Sequence, residues 1–250
     1  MGMSRSGTSL AGKILSKLGY FIENDSRPPD EHNPEGYFES KRVQDLNSRV
    51  LSMLGGSEDD PPRPEKGWES TGRFKNEVKK AAAIIRSYEG HHKWGMKDDR
   101  LSVTLPLWKL VLPPGVSYVI CVRNPLAVVR SIAKMEPRHD WKLAFRSWYS
   151  HMSGAIKNTQ GERRFLLFYE DFVVDPGFQA SNIGAFLGVA GDEGILDAFK
   201  SGLSHEQPSL QDLVSNELVP EQTKELYLHL LEVRSGARRL DGLAQSLEEL

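Results

Sequence analysis

Met1-Gly2-Met3-Ser4-Arg5-Ser6-Gly7-Thr8-Ser9 opens the chain, and its reading decides the fold. Gly2 and Gly7 keep the spacing of the phosphate-binding loop G-x-x-x-x-G-K-[ST], in which backbone N–H groups wrap phosphates, the lysine reaches the terminal phosphate and the hydroxyl holds magnesium. Thr8 stands where that lysine belongs, and the cation has moved inside the loop as Arg5. The pattern predicts an anion site without the chemistry of ATP hydrolysis. An apolar helical run at 10–18 follows, so the loop precedes a helix N-terminus, where free N–H groups and the dipole favour negative charge. Taken alone, a Gly/Ser/Thr stretch of this kind also fits an ordinary helix cap.

A second segment bears on that choice. Residues 117–123, Ser-Tyr-Val-Ile-Cys-Val-Arg, form an apolar, β-branched run suited to a strand buried on both faces of a parallel sheet. Asn124 then serves as N-cap and Pro125 as first helical residue of a helix through Ile132. Arg123 and Ser131 would stand at the carboxyl edge of the sheet, the ligand position of open α/β folds. Arg130 reads as a solvated helix charge.

The two segments together resemble the sulfotransferases that use 3′-phosphoadenosine 5′-phosphosulfate. In that family a loop of approximately [KR]-[ST]-G-[ST]-[ST] holds the 5′-phosphosulfate, matching Arg5-Ser6-Gly7-Thr8-Ser9. A second motif of approximately R-[ND]-P-x-[AD]-x-x-x-S holds the 3′-phosphate, matching Arg123 through Ser131. Lys97-Asp98-Asp99-Arg100 is similar to the family's lysine-bearing K-D-P segment, with Asp99 in place of its proline. Tyr169-Glu170-Asp171-Phe172 is similar to the Y-E-D-L segment after a later core strand. The resemblance covers about residues 1–190. It implies a three-layer α/β P-loop-like fold with a mostly parallel central sheet flanked by helices, in one domain over 1–250, with further helices from 191 to 250.

One departure concerns the start. The family's phosphosulfate loop follows a first core strand, whereas Met1 is already in the loop, and the expectation is a reading frame that begins too late. Neighbours of a missing strand would expose backbone groups, each costing about 1–3 kcal/mol when buried without a partner.

At 250 residues and 39% hydrophobic the chain can bury one sizeable core. Its net charge of −2 argues against general nucleic-acid binding. The single Cys121 excludes a disulfide framework within the chain and fits a reducing compartment. No stretch approaches the roughly 18 apolar residues of a membrane span, and no signal peptide opens the sequence, so a cytoplasmic protein is expected.

Along the chain we expect a short strand at 20–22, a helix at 38–54, a helix at 74–88, a strand at 93–97 and a helix at 101–110. Residues 55–67, rich in Gly, Pro and acid, form the least foldable stretch and read as a lid, a binding loop or disorder. Trp141, Phe145, Trp148, Met152 and Ile156 mark an amphipathic helix whose stripe is core rather than acceptor pocket. A buried strand at 165–168 and a helix at 178–187 follow. Arg238 and Arg239 read as a solvated face, and the adjacent His91 and His92 receive no role.

Sulfuryl transfer must neutralise charge on the leaving phosphate and remove a proton from the acceptor. The resemblance gives Arg5 and the loop N–H groups the first task, with no metal required. It assigns Arg5, Ser6, Gly7, Thr8, Ser9, Arg123, Ser131 and Tyr169 to the nucleotide, Tyr169 against the adenine, and Lys97 to the transferring sulfuryl oxygens or the bridging oxygen. The base is expected to be Glu39, which follows two aromatics that would partly desolvate it, with Glu35 and His32 as alternatives. The acceptor, a carbohydrate, peptide, lipid or small natural product bearing a hydroxyl or amine, is not legible. Two rival readings stand beside this one: a catalytically silent sulfotransferase-fold protein that binds nucleotide, and a P-loop kinase, which would need a lysine at position 8.

Overall fold

In a computed structural model, residues 1–28, 36–189 and 207–248 are described. The apolar run beside the second motif forms β3 (Tyr118–Val122), which pairs in parallel with β4 (Arg164–Phe168) in the register Tyr118↔Arg164 to Val122↔Phe168. Side chains alternate across this pair. Ile120, Val122 and Phe168 enter one apolar cluster, while Cys121 and Leu167 enter another on the opposite face. Both faces are therefore buried, as an uninterrupted apolar strand requires.

Helices supply the two outer layers. Ala11 and Ile14 of α1 (Thr8–Lys17) and Ala180 and Ile183 of α8 (Pro176–Leu187) cover the face of Cys121. The other face is covered by α5 (Pro125–Met135), α6 (Trp141–Asn158), α10 (Glu221–Arg234) and α11 (Leu240–Glu248). A second parallel pair, β1 (Phe21–Ile22) with β2 (Trp94–Gly95), packs Phe21 and Trp94 against α2 (Lys41–Met53), α3 (Lys75–Tyr88) and α4 (Leu101–Lys109). The result is an α/β arrangement of short parallel strands between helical layers.

Met1 lies between the pairs. Its ammonium donates to Val119 O at 2.9 Å and Cys121 N donates to Met1 O at 2.8 Å, so one residue takes the ladder position next to β3. Met1 also packs at the margins of the clusters belonging to each pair. Among the described residues the strands thus form two pairs, where the sequence led us to expect one sheet.

Several local readings shift for identifiable reasons. The strand expected at 93–97 contracts to β2, leaving Lys97 beyond its end. The helix expected from Phe38 begins at Lys41, because Phe38 adopts a left-handed φ of 57° and Ser40 caps the helix by accepting Val43 N at 3.4 Å. Asn124 caps α5 as expected, accepting Leu126 N at 2.9 Å. Phe145, Trp148, Met152 and Ile156 are fully buried, so the α6 stripe is core. The acidic 55–67 stretch is anchored: Arg100 pairs with Glu58, Arg146 with Asp60 at 2.8 Å, and the Arg63 guanidinium lies 5.0 Å from the Tyr149 ring. Among the described residues no helix is long and apolar enough to cross a membrane.

Candidate active site

The 2–9 loop is shaped by close approach. Gly2, at φ 125°, runs so near β3 that a Cβ there would stand 2.5 Å from Cys121 O. Gly7, at φ 91°, would place a Cβ 3.0 Å from the Tyr169 ring. Glycine alone satisfies both conditions at both positions. Arg5 is left-handed without being glycine, at φ 65°, a conformation costing on the order of 1–3 kcal/mol. Two contacts hold it: Arg5 Nε donates to Ser131 Oγ at 3.0 Å, and Arg123 Nη1 donates to Arg5 O at 2.9 Å. Three residues expected at the phosphates therefore meet across most of the sequence. Tyr169, the first residue of α7 (Tyr169–Val174), stacks under Arg123 with 4.1 Å between guanidinium carbon and ring centroid.

Two features leave the loop with donors that an anion could take. Gly7 caps α1 with no side-chain hydrogen bond, so the first-turn N–H groups keep their dipole end open to a ligand. Ser6 Oγ and Arg123 Nε are buried and have no hydrogen-bond partner among the described residues. A buried polar group left unsatisfied costs about 1–3 kcal/mol, and phosphate oxygens beside these donors would remove that cost. Burial also pulls the Arg123 guanidinium below its ordinary pKa, with Arg5 pushing the same way and Tyr169 and Glu170 opposing. A bound anion would stabilise its charged form.

Next to the loop lies a cavity of about 320 Å³ lined by Arg123, Arg130, Ser131, Lys134, Pro208 and Asp212, among others. Arg130, read from the sequence as a solvated charge, is exposed yet faces this cavity. The helical spacing of Ala127, Arg130, Ser131 and Lys134, all lining residues, puts them on one face of α5 and is the signal that would have found Arg130 and Lys134. Asn124 Nδ2 donates to Pro208 O at 3.2 Å, which brings the segment before α9 (Leu210–Ser215) to the rim.

Glu39 and Lys97, expected as separate candidates, form one buried ion pair through Glu39 Oε1. Lys97 Nζ also lies 3.8 Å from Asp99 Oδ1. Gln44 Nε2 and, at 3.4 Å, Ser26 Oγ donate to the other Glu39 oxygen. Burial works against the Lys97 charge, but Asp99 and Glu39 outweigh it and hold the ammonium above its ordinary pKa. Glu39 thus has both oxygens engaged, by partners its aromatic sequence neighbours did not reveal. A Cβ on Gly12 would stand 2.6 Å from Phe38 Cβ, so the segment carrying Glu39 runs against α1. His32 and Glu35 lie outside the described residues.

A second cavity, about 80 Å³, is one the motifs did not foretell. Met3 and Ser4 of the loop line it together with Glu58, Glu136, His139 and His151. His151 is buried, with Nδ1 3.1 Å from Asp99 O and Nε2 3.2 Å from Glu58 O, and burial lowers its pKa. Arg100 bridges Glu58 and, at 3.1 Å, Asp98. Burial pushes the Glu58 carboxyl up to about 7, with Asp99, Asp98 and Asp59 adding to the rise against the pull of Arg100. Burial likewise raises Asp98 to about 6. The sequence carried one signal for this site, the acidic 55–67 stretch.

Comparisons with known proteins agree with this geometry. The sequence profile of the sulfotransferase family matches residues 1–193. No curated protein matches the chain. Among solved structures, the sulfotransferase domain from the Synechococcus PCC 7002 olefin synthase is similar in fold, with a TM-score of 0.55, 18% identity and 92% of each chain covered. The family match spans the 2–9 loop, the Arg123 segment and Tyr169 alike, and the chain belongs to the sulfotransferase family.

Proposed function

We propose that this chain transfers the sulfuryl group of 3′-phosphoadenosine 5′-phosphosulfate to a hydroxyl or amine of its acceptor. The observation that carries the reading is the convergence of Arg5, Arg123 and Ser131 beside two buried donors that lack partners among the described residues. The α1 N-terminus with Ser6, Thr8 and Ser9 receives the 5′-phosphosulfate, and Arg5 neutralises charge building on the leaving phosphate. Arg123 and Ser131 hold the 3′-phosphate by charge-assisted hydrogen bonds at the mouth of the basic cavity. Tyr169, already stacked on Arg123, offers its ring to the adenine.

Lys97 is the cation poised for the transferring sulfuryl oxygens. In the unliganded arrangement Glu39 keeps it charged and oriented, so Glu39 belongs to the catalytic group through Lys97. Position 8 is Thr, and the kinase reading lacks the lysine it would need there.

Titration with adenosine 3′,5′-bisphosphate and with ATP tests this reading. A strong preference for the 3′-phosphorylated ligand is expected; equal affinities, or a preference for ATP, would overturn it. Release of adenosine 3′,5′-bisphosphate from the phosphosulfate donor would then separate an active enzyme from a silent binding protein.

A further inference from the structure

Sulfuryl transfer needs a proton acceptor near the reacting atoms, and Glu39 has one oxygen on Lys97 and the other on Gln44 and Ser26. A carboxylate so engaged takes a proton only after its partners withdraw. Among the described residues, further carboxylates stand at the second cavity, whose wall includes Met3 and Ser4 immediately before Arg5.

We propose that Glu58 is the general base of this enzyme, and that the cavity between Ser4, Glu58, His139 and His151 receives the reacting end of the acceptor. The proposal rests on the sulfotransferase reading given above. At about 80 Å³ the space suits a hydroxyl- or amine-bearing terminus, since sites that enclose whole small molecules run to about 300–1,000 Å³. Arg100 engages Glu58 Oε2, and among the described residues no hydrogen bond occupies Oε1 of this cavity-lining side chain. The Glu58 carbonyl is held at one point: Ser147 Oγ donates to Glu58 O at 3.3 Å, and His151 Nε2 lies 3.2 Å from the same oxygen. The charged neighbours are Arg100 on one side and Asp59, Asp98, Asp99 and Glu136 on the other, with His139 and His151 completing the set. The carboxylates in this set outnumber Arg100, and together with burial they make Glu58 a stronger base than a solvated carboxylate, as a group titrating near neutrality should be.

The step balances as follows. The acceptor oxygen or nitrogen forms a bond to sulfur while its proton passes to Glu58 Oε1. The bond from sulfur to the bridging phosphate oxygen breaks, and its electron pair stays on that oxygen, which leaves as adenosine 3′,5′-bisphosphate. Glu58, partly exposed, then returns the proton to solvent.

Water serves as the probe acceptor, so no natural acceptor has to be known. The rate of adenosine 3′,5′-bisphosphate release from the phosphosulfate donor is measured between pH 5 and 9 for the natural chain, Glu58→Gln, Glu58→Asp and Glu39→Gln. The natural chain should show a rate that rises with pH through about 7, the value to which Glu58 is pushed. Glu58→Gln should lose on the order of 100-fold or more, together with that rising limb, while binding adenosine 3′,5′-bisphosphate within about twofold of the natural chain. Glu39→Gln should keep the limb. If Glu58→Gln fails to fold, Glu58→Asp decides: a slower rate with the limb retained supports the base, and a limb unchanged in both position and height refutes it. An unchanged rate and limb in a Glu58→Gln protein that binds the nucleotide would overturn the proposal and leave the sulfotransferase reading intact. Failure of the natural chain to bind the 3′-phosphorylated nucleotide would instead remove both.

Discussion

The two cavities on either side of the loop are opposite in charge, although Ser131 and Ile132, neighbours on α5, line one each. The larger is lined by Arg123, Arg130 and Lys134, with Asp212 at its rim, a basic lining that suits a phosphate. The smaller carries Glu58, Asp59 and Glu136, and behind it Lys97 is shared by Glu39 and Asp99 while Arg100 is shared by Glu58 and Asp98. One side presents cations to a ligand. The other gathers more carboxylates than cations, and burial with that excess raises Glu58 and Asp98. On the proposed function, the first side binds the nucleotide and the second serves the chemistry.

The largest expected effect lies on the acidic side. Lys97→Ala leaves Glu39 buried without its cation, and breaking a buried pair from one side costs about 3–5 kcal/mol. At about 2–4 °C per kcal/mol for a chain of this size, the melting temperature should fall by roughly 10 °C. Combining Lys97→Met with Glu39→Gln should recover most of the loss, because no uncompensated charge remains. A single variant that melts like the natural chain would show that this network is not compensated as described.

A smaller effect on the same side is a pH dependence. Glu58 titrates at about 7 when folded against 4.5 as its ordinary value, so between those limits the folded chain binds more protons than the unfolded one. Stability should therefore decline as pH rises from about 4.5 to 7. Asp98, raised from 3.8 to about 6, contributes in the same direction over its own interval. Urea unfolding at pH 5 and pH 7 should show a shallower decline in Glu58→Gln than in the natural chain. An equal slope would place Glu58 in an ordinary solvated setting.

The smallest effect belongs to the rim of the basic cavity. Arg130 is exposed, so Arg130→Ala should weaken adenosine 3′,5′-bisphosphate by only about 0.5–1 kcal/mol, and the difference should vanish in high salt. A larger, salt-independent loss would make Arg130 a direct phosphate ligand and shift weight away from Arg123.

How much of this was legible in the sequence follows the same division. The basic side is written in short motifs: Arg5 to Ser9, Arg123 to Ser131 and Tyr169 each sit at a junction of strand or loop with helix, and local rules place them. Their mutual contacts needed the structure, and their proposed roles rest on the resemblance those motifs carry. The acidic side has no local signature, because Glu58, Arg100 and His151 come from three separate elements and meet only through packing. The pairing of Glu39 with Lys97 was hidden for the same reason, and it depends on the left-handed turn at Phe38, an uncommon conformation for a bulky residue. Arg130 is exposed, as a solvated helix charge is, and its i, i+4 spacing to Lys134 on the Ser131 face already placed both at one rim.

The most direct test of the central claim compares adenosine 3′,5′-bisphosphate with adenosine 5′-monophosphate by calorimetric titration of the natural chain and of Arg123→Ala. The natural chain should prefer the 3′-phosphorylated nucleotide by about 2–3 kcal/mol, the worth of hydrogen bonds to a charged group, which is roughly 30- to 150-fold in affinity. Arg123→Ala should lose most of that preference with little change in melting temperature. A preference that survives the substitution, or affinities that stay equal while the variant melts earlier, would assign Arg123 to the scaffold and contradict the account.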